Sequence, residues 1–515
     1  MISDWIQSAE ERDGDAAYLE NACDLNRLSY AGLARAARGW AALLDEAGLP
    51  PGARVAVHLA DPLSYATALV AVVAAGRVAV PLDPRAPATR HSRVLAVARP
   101  AAAVSDAPGE LPAGLARLAP PADDGQDAGD EGAQPRPPGG GGIYLCTSGT
   151  TGTPKGILLA EKQLCHVAAG VARHHQLTES DRGYCSLPLF HINAEVVGLL
   201  ATLYAGASLV LASKFARTGF WELIDERRIT WINAVPAIIA VLAMTPAQPA
   251  PQWVRFVRSA SAPLPGAVLS QFERASGLAV LETYGMTEAA SMITANPLDG
   301  PRKPGSAGRP VGVGLRTVEL SEWGALACPP GEIGRVQIRG PGVIRQYAAG
   351  GAAGAIDADG WLDTGDLGYL DGDGYLFLVG RSDDVINRGG EKVYPREIEE
   401  FLLTQPGVHA VAVVGAPDPV LGACPVAYVE EQAAGPAAGL ADALREACRS
   451  GLPHPLQPAM FTLVDELPRV PAGKIDRHRL QQLAAATPMQ RRPIEGRPIE
   501  GRPGGRHREP ASTGA

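Results

Sequence analysis

Two stretches of this 515-residue chain combine residue types that do chemistry. "TSGTTGTPKG" runs from Thr147 to Gly156, directly after the apolar stretch "IYLC". Its glycines, Gly149, Gly152 and Gly156, let the backbone approach an oxyanion. Hydroxyls of Thr147, Ser148, Thr150, Thr151 and Thr153 can donate to that anion, and Lys155 adds positive charge. The set fits a phosphate better than a surface turn. It is not a Walker A loop, because G-x-x-x-x-G-K-[ST] cannot be placed on it. The second stretch, "PLFHINAEV" from Pro188 to Val196, holds His191, Asn193 and Glu195 at alternate positions. On a strand these three share one face, which leaves three readings: a metal site, a base with its helpers, or the wall of a pocket. One good soft ligand, with no matching His/Cys cluster elsewhere, speaks against the metal. "DGDG" at Asp371 to Gly374 resembles a calcium loop, but Tyr375 falls on the third ligand position and a hairpin turn fits better. Lys474 in "PAGK" reads, in isolation, as a solvated turn lysine.

These residues need a scaffold. Residues 28 to 83 pass from a helical spacing of apolar residues, ending at "GLPPG", to a β-branched run at Val55 to Leu59, then to a further helix and strand. Such alternation predicts βα units and a mostly parallel sheet. It continues from Ile143 to Val379. Residues 106 to 142, rich in Pro, Gly and Asp, read as an exposed loop. The pattern breaks at "GRSDD", Gly380 to Asp384. "VYPREIEEFLL" then shows Pro395 near a helix start, early glutamates and an apolar face of Ile398, Phe401 and Leu402. Strand-like "HAVAVVGA" and "CPVAYVEE" follow. The expected organisation is an α/β protein with a large N-terminal domain over 1–380, a hinge at 381–384 and a small α+β domain over 385–487. The repeat "RPIEGRPIEGRP" puts a disordered tail at 488–515.

Composition narrows the function classes. Hydrophobic residues are 46% and charged residues 20%, an ordinary globular balance, and the length calls for at least two domains. A net charge of −9 argues against broad nucleic-acid or anionic-membrane binding. No apolar run approaches the length of a membrane span. The acidic N-terminal stretch lacks the regions of a signal peptide. Seven cysteines without a CxxC pair fit a reduced, cytoplasmic protein.

Read together, five stretches in order resemble the signature segments of the adenylate-forming superfamily: acyl-CoA synthetases, peptide-synthetase adenylation domains and luciferases. "TSGTTGTPKG" is similar to its phosphate loop. "YGMTEAA" (Tyr284 to Ala290) is similar to its adenine and magnesium segment, and "WLDTGDLGYLDGDGYLFLVGR" (Trp361 to Arg381) to its ribose segment. "INRGGEKVYPREIE" (Ile386 to Glu399) resembles the loop that enters the site for the second half-reaction. "LPRVPAGKIDRHRL" (Leu467 to Leu480) resembles the segment with the catalytic lysine. The resemblance covers residues 28 to about 480.

It implies activation of a carboxylic acid by ATP, then transfer of the acyl group to a thiol. Lys474 would bridge the carboxylate and the α-phosphate, and residues 147–156 would hold the β- and γ-phosphates. Glu288 would ligate Mg²⁺, and Thr287 would contact the α-phosphate. Tyr284 and Gly285 would lie against adenine, with Ser261, Ala262 and Pro263 on its other side. Asp366 and Arg381 would bind the ribose hydroxyls. Asp383 matches the hinge about which the small domain rotates, and Gly389, Gly390 and Glu391 match the loop beside the pantetheine tunnel. His191 would gate the acyl pocket, framed by Asn193, Glu195 and Ser291.

The acid and the thiol are less defined. Peptide-synthetase adenylation domains carry an aspartate in the segment occupied here by "PLFHINA", so an α-amino acid is disfavoured. "KFARTGFWELI" and "NPLDGPRKPGSAGRPVG" resemble the acyl-CoA synthetase branch, the latter oxalyl-CoA synthetases in particular. Asn193 and Ser291 stand where that group carries histidines, which speaks against oxalate. The expected reaction is formation of an acyl-CoA from a small or medium acid, with ATP, Mg²⁺ and coenzyme A. "GKID" leans towards the alternative, loading of a separate carrier protein. A third reading, a ligase-dead binding protein, conflicts with Lys474, Glu288 and the phosphate loop all being present.

Overall fold

The structure is a computed structural model describing residues 1–106, 111, 115–121, 140–147, 155–244, 249–321, 324–349, 355–431, 439–469 and 475–486. Four sheets organise the described residues.

The first sheet has nine strands. Its central run, mostly parallel, passes from Ala17–Asn21 through Ser208–Leu211, Arg182–Cys185, Trp231–Ala234 and Phe256–Ser259 to Val280–Met286. Antiparallel Ser291–Ala295 and Arg309–Pro310 finish one edge. The second has six strands in the order Ala116–Leu118, Ala102–Ser105, Arg54–His58, Val78–Pro81, Gly142–Thr147 and Lys155–Ala160, parallel except for the last pair. Helices join these strands, as the alternation predicts. Their ends are set by local chemistry. Asp61 caps helix Pro62–Ala74 by accepting from the Ser64 amide at 2.8 Å, and Pro62 supplies a ready φ at the first helical position. Ser29 caps helix Tyr30–Glu46 in the same way. The N-terminal stretch forms helix Ile2–Asp13, burying Ile2, Ile6 and Ala9.

The alternation does not extend to the third sheet. Gly324–Ala327, Gly314–Ser321, Gly334–Arg339, Leu362–Leu370 and Leu376–Arg381 are antiparallel throughout. "DGDG" turns between the last two: Asp371 accepts from the amides of Asp373 and Tyr375, and Lys303 pairs with both aspartates.

Residues 106–142 are not uniformly an exposed loop. Leu111 is buried and Ala116–Leu118 adds a parallel strand at the sheet edge. Gly141 and Gly142 pack so closely that a Cβ would lie 2.3 Å from the Val73 carbonyl oxygen and 2.5 Å from that of Leu159. The glycine run serves close backbone packing, which composition cannot tell from a flexible linker.

The fourth sheet belongs to the C-terminal part: Glu391–Val393, Ile386–Arg388, Gly422–Glu431 and Val408–Asp418, with Met460–Val464 parallel on the long central strand. Helix Pro395–Leu403 buries Ile398 and Leu402 against it, with Phe401 partly buried. Glu399 accepts from the Val413 amide at 2.7 Å, and both its oxygens accept from Arg477 Nη2, at 2.6 and 2.7 Å. That charged pair ties helix Arg477–Ala486 to helix Pro395–Leu403. The tail expected at 488–515 lies outside the described residues.

Candidate active site

The histidine segment is not a strand. Pro188 accepts from the His191 amide at 3.1 Å, His191 accepts from the Glu195 amide at 3.2 Å, and a wide-turned π-helix follows over Asn193–Leu200. Every residue of that helix is buried. Two residues on in a helix, unlike a strand, lie on nearly opposite faces. Asn193 and Glu195 therefore part company. Asn193 points to the neighbouring sheet: its Oδ1 accepts from Arg258 Nη1 at 2.8 Å and from Asn233 Nδ2 at 3.4 Å, and its Nδ2 reaches Ser261 Oγ at 3.5 Å. Glu195 lies near the Tyr65 phenol, whose hydroxyl donates to the Leu82 carbonyl at 3.0 Å. The rings of Phe190 and His191 stand 4.6 Å apart.

Glu195 is fully buried, and among the described residues neither of its oxygens has a hydrogen-bond partner. Burial pushes its carboxyl well above the ordinary 4.5. A raised folded value means that stability falls as pH climbs from the unfolded value towards the folded one. Glu195→Gln removes that dependence. It is expected to melt higher than wild type at about pH 8, with the gap closing near pH 4. Thermal melts across that range check it; equal melting temperatures at the alkaline end would refute a neutral carboxyl at this site.

A second group gathers three expected nucleotide residues. Asp366 and Arg381 face each other in register on adjacent antiparallel strands. Arg381 Nη1 donates to Asp366 Oδ1 at 3.0 Å and to the Thr364 carbonyl at 2.9 Å. Tyr284 Oη donates to the other oxygen, Asp366 Oδ2, at 2.5 Å. Burial, followed by the Asp366 charge, pushes the Tyr284 phenol well above 10, so it stays a donor at neutral pH.

Tyr284 is aimed by a deformed hairpin. The register between strands Val280–Met286 and Ser291–Ala295 shifts at Tyr284 and Gly285. A Cβ at Gly285 would sit 1.6 Å from the Ser291 carbonyl oxygen, so only glycine fits. Ala290 and Ser291 hold positive φ values of 51° and 100°. Strain of this kind persists where the surroundings over-determine it, often at a site. Ser291 is buried and pairs with Met286. Ser261, on the turn after strand Phe256–Ser259, also has positive φ, at 75°, and Ala262 and Pro263 follow it.

Thr287 and Glu288 form a short 3₁₀ turn at the end of this hairpin. Glu288 is 8% exposed and accepts from Tyr347 Oη at 3.0 Å. Lys155 Nζ lies over the same tyrosine ring, 5.4 Å from its centre. Tyr347 thus joins the carboxylate to the lysine, although in sequence it is a lone aromatic before an Ala/Gly run. Its segment is fixed by backbone hydrogen bonds: Gly156 donates to Ala349 and Ala348 donates to Gly156, each at 2.8 Å, and Ala349 donates to Gly156 at 3.3 Å. Gly156 must be glycine, since a Cβ would come within 2.0 Å of Tyr144 Oη. Thr147 and Lys155 stand opposite each other in antiparallel register. Ser148, Gly149, Thr150, Thr151, Gly152 and Thr153 lie outside the described residues, as does Lys474.

No group of three or more His, Cys, Asp or Glu gathers to hold a metal among the described residues. The single carboxylate of Glu288 fits Mg²⁺, which keeps several waters and takes one or two protein carboxylates alongside phosphates.

In the C-terminal part, Gly389 and Gly390 turn the hairpin Ile386–Val393 with φ of 62° and 94°. Two successive positive values suit a tight hairpin turn. Gly389 donates to the Leu421 carbonyl at 2.7 Å, and Glu391 is exposed. Asp383 is exposed in the 3₁₀ turn Ser382–Asp384. It is Asp384, one residue on, that pairs with Arg477, at 3.7 Å.

Residues 6–348 match the family model described as AMP-binding enzyme, and residues 397–474 match that of the AMP-binding enzyme C-terminal domain. Sulfoacetate–CoA ligase of Cupriavidus necator is 44% identical over 349 residues, covering 67% of this chain and 68% of the relative. Oxalate–CoA ligase of Arabidopsis thaliana is 34% identical over 477 residues, covering 85% and 90%. Among solved structures, ATP-bound MatB from Rhodopseudomonas palustris superposes with a TM-score of 0.84 at 28% identity, covering 94% of this chain and 99% of that one. The o-succinylbenzoate CoA synthetase of Bacillus subtilis, in complex with its acyl-adenylate, gives 0.81 at 28%, covering 93% and 97%.

Proposed function

We propose a reaction from the premise that this chain belongs to the AMP-binding enzyme family. It is an AMP-forming carboxylic acid–CoA ligase that uses ATP, Mg²⁺ and coenzyme A. In the first step a carboxylate oxygen bonds to the α-phosphorus, and the bond to the β-phosphate breaks to release pyrophosphate. In the second the CoA thiol, losing its proton, bonds to the acyl carbon, and AMP leaves. Both steps gather negative charge that fixed donors must meet.

The observation that best supports the assignment of roles is the hydrogen-bond set of Tyr284, Asp366 and Arg381. A phenol, a carboxylate and a guanidinium at one place suit a nucleoside, with the ring for adenine and the charged pair for the ribose hydroxyls. Thr147, Lys155 and the residues between them bind the β- and γ-phosphates. Glu288, steadied by Tyr347, holds the Mg²⁺, which neutralises phosphate charge when bound. Thr287 contacts the α-phosphate, Lys474 bridges it to the acid, and His191 gates the acyl pocket with Asn193 and Ser291 nearby. Turning about Asp383 brings Gly389, Gly390 and Glu391 to the site for thioester formation. The domain limits are 1–380 and 385–487, and free cysteines suit a cytoplasmic location. Sulfoacetate and oxalate, for which the two relatives are named, are small acids, in keeping with a small or medium acid here.

Pyrophosphate release and hydroxamate trapping over a panel of acids, with and without CoA, test this reading. Release with at least one acid, and a CoA thioester when CoA is present, is expected. No release with any acid refutes it. Release without a thioester would favour the thiol of a separate carrier protein, the alternative that "GKID" at Gly473–Asp476 supports.

A further inference from the structure

Arg258 is the unusual residue beside Asn193. It belongs to strand Phe256–Ser259 and is 1% exposed. Cys185, Asn233 and Arg258 form one row across three adjacent parallel strands, and Asn193 meets that row from the π-helix. Nη1 spends its hydrogens on two neutral amide oxygens, Asn193 Oδ1 at 2.8 Å and Asn233 Oδ1 at 3.2 Å. Nε is buried with no partner. Among the described residues no carboxylate pairs with this guanidinium.

Among the described residues its surroundings offer no counter-charge. Burial pushes the Cys185 thiol up to about 11, which leaves it uncharged at neutral pH. His174 and His175 are held neutral by burial and by Arg258 itself. Glu195 sits on the far side of the π-helix, itself uncharged. Burial works against the arginine's own charge too. A buried cation supplied only with amide oxygens is poorly compensated, and its fork geometry matches a carboxylate or sulfonate. Asn193 and Asn233 hold Nη1 in place and leave the rest of the fork unspent. Asn193, assigned above to the acyl pocket, also reaches Ser261, so the cation stands at the wall assigned above to the acid.

We infer that the acid activated by this ligase is a short one with a second anionic group, a carboxylate or sulfonate, and that Arg258 binds that second group. The inference rests on the ligase reading. It makes Arg258 a specificity determinant, with Asn193 and Asn233 as positioning residues. It also explains why Asn193 is an amide: the amide oxygen orients the guanidinium without neutralising it.

Matched acids test it. Sulfoacetate is paired with 3,3-dimethylbutanoate, malonate with 3-methylbutanoate and oxalate with 2-methylpropanoate; within each pair the shape is kept and the second charge removed. Wild type is expected to release pyrophosphate with kcat/KM at least about 100-fold higher for the better dianion than for its alkyl partner. Arg258→Met should bring that ratio near one, by losing the dianion rather than by losing both. Arg258→Lys should retain part of the preference, since the charge stays and the fork goes. A wild type that prefers the alkyl acids overturns the inference whether or not either variant folds. So does an Arg258→Met protein, of wild-type melting temperature, that loses both acids equally: that marks a structural arginine, or one bound to the reacting carboxylate. Should no acid be turned over, the ligase reading fails separately. Calorimetric titration of each pair into wild type and Arg258→Met, with a non-hydrolysable ATP analogue present, then decides: dianion binding lost in the variant upholds Arg258, and equal binding overturns it.

Discussion

Replacing Lys474 with alanine is expected to cut acid-dependent pyrophosphate release by about 10²–10³-fold, the usual effect of losing one donor aimed at transition-state charge. Thioester formation from supplied acyl-adenylate and CoA should be largely spared. The asymmetry follows from the chemistry. The adenylation transition state places new negative charge on the α-phosphorus oxygens beside an acid that is itself anionic, and a lysine bridging them lowers that repulsion. The thioester step begins from an adenylate in which the acid's charge is already gone. The described residues that follow Lys474 in sequence are themselves anchored. The Asp476 amide donates to the Pro468 carbonyl at 2.7 Å, and Arg477 is locked to Glu399. Separate assays of the two half-reactions read the result. An equal fall in both would refute two alternating arrangements of the small domain.

Glu288→Gln is the second large effect. Loss of about 10²-fold in pyrophosphate release is expected, together with a clear rise in the Mg²⁺ concentration needed for half-maximal rate. Glutamine keeps the shape and can still accept from Tyr347, so packing should survive. What disappears is the negative charge that suits a hard cation. Titrating Mg²⁺ at fixed ATP separates the two possibilities. An unchanged Mg²⁺ requirement would mean that Glu288 serves the turn Thr287–Ala289 and not the metal. Thermal melts of the variant guard against a folding defect.

Much of this site is legible in the residue types of short segments. Tyr284 lies far in sequence from Asp366 and Arg381, yet each sits in a stretch that resembles a nucleotide segment of the family, and the structure brings the three into one hydrogen-bond set. Helix Pro395–Leu403 follows from Pro395 and its apolar spacing. The "DGDG" hairpin follows from Tyr375 at a forbidden ligand position. Tyr347 could not be read, because its partners Glu288 and Lys155 come to it only through strand pairing with Gly156. Arg258 could not be read either. In sequence it is one arginine in "VRFVRSASAP", and nothing local separates a solvated arginine from a buried one.

"PLFHINAEV" shows where the division falls. Its residue types alone argued against a metal site, and only the resemblance to the family turned the histidine into an expected gate of an acyl pocket. Its alternate spacing left the faces open, since period 2 places His191, Asn193 and Glu195 together only on a strand. Burial of the apolar run Val196–Leu200 against the sheet makes it a helix, and the helix turns Asn193 towards Arg258 while sending Glu195 into an apolar interior. The sequence by itself determined the family and the reaction class, and it supplied most of the residues proposed here for the nucleotide, because the family's segments are recognised by residue type within short stretches. Which way Asn193 and Glu195 turn, and which buried charge lacks a counter-charge among the described residues, was decided only by the tertiary structure, because desolvation and pairing are properties of what surrounds a side chain and not of its neighbours along the chain.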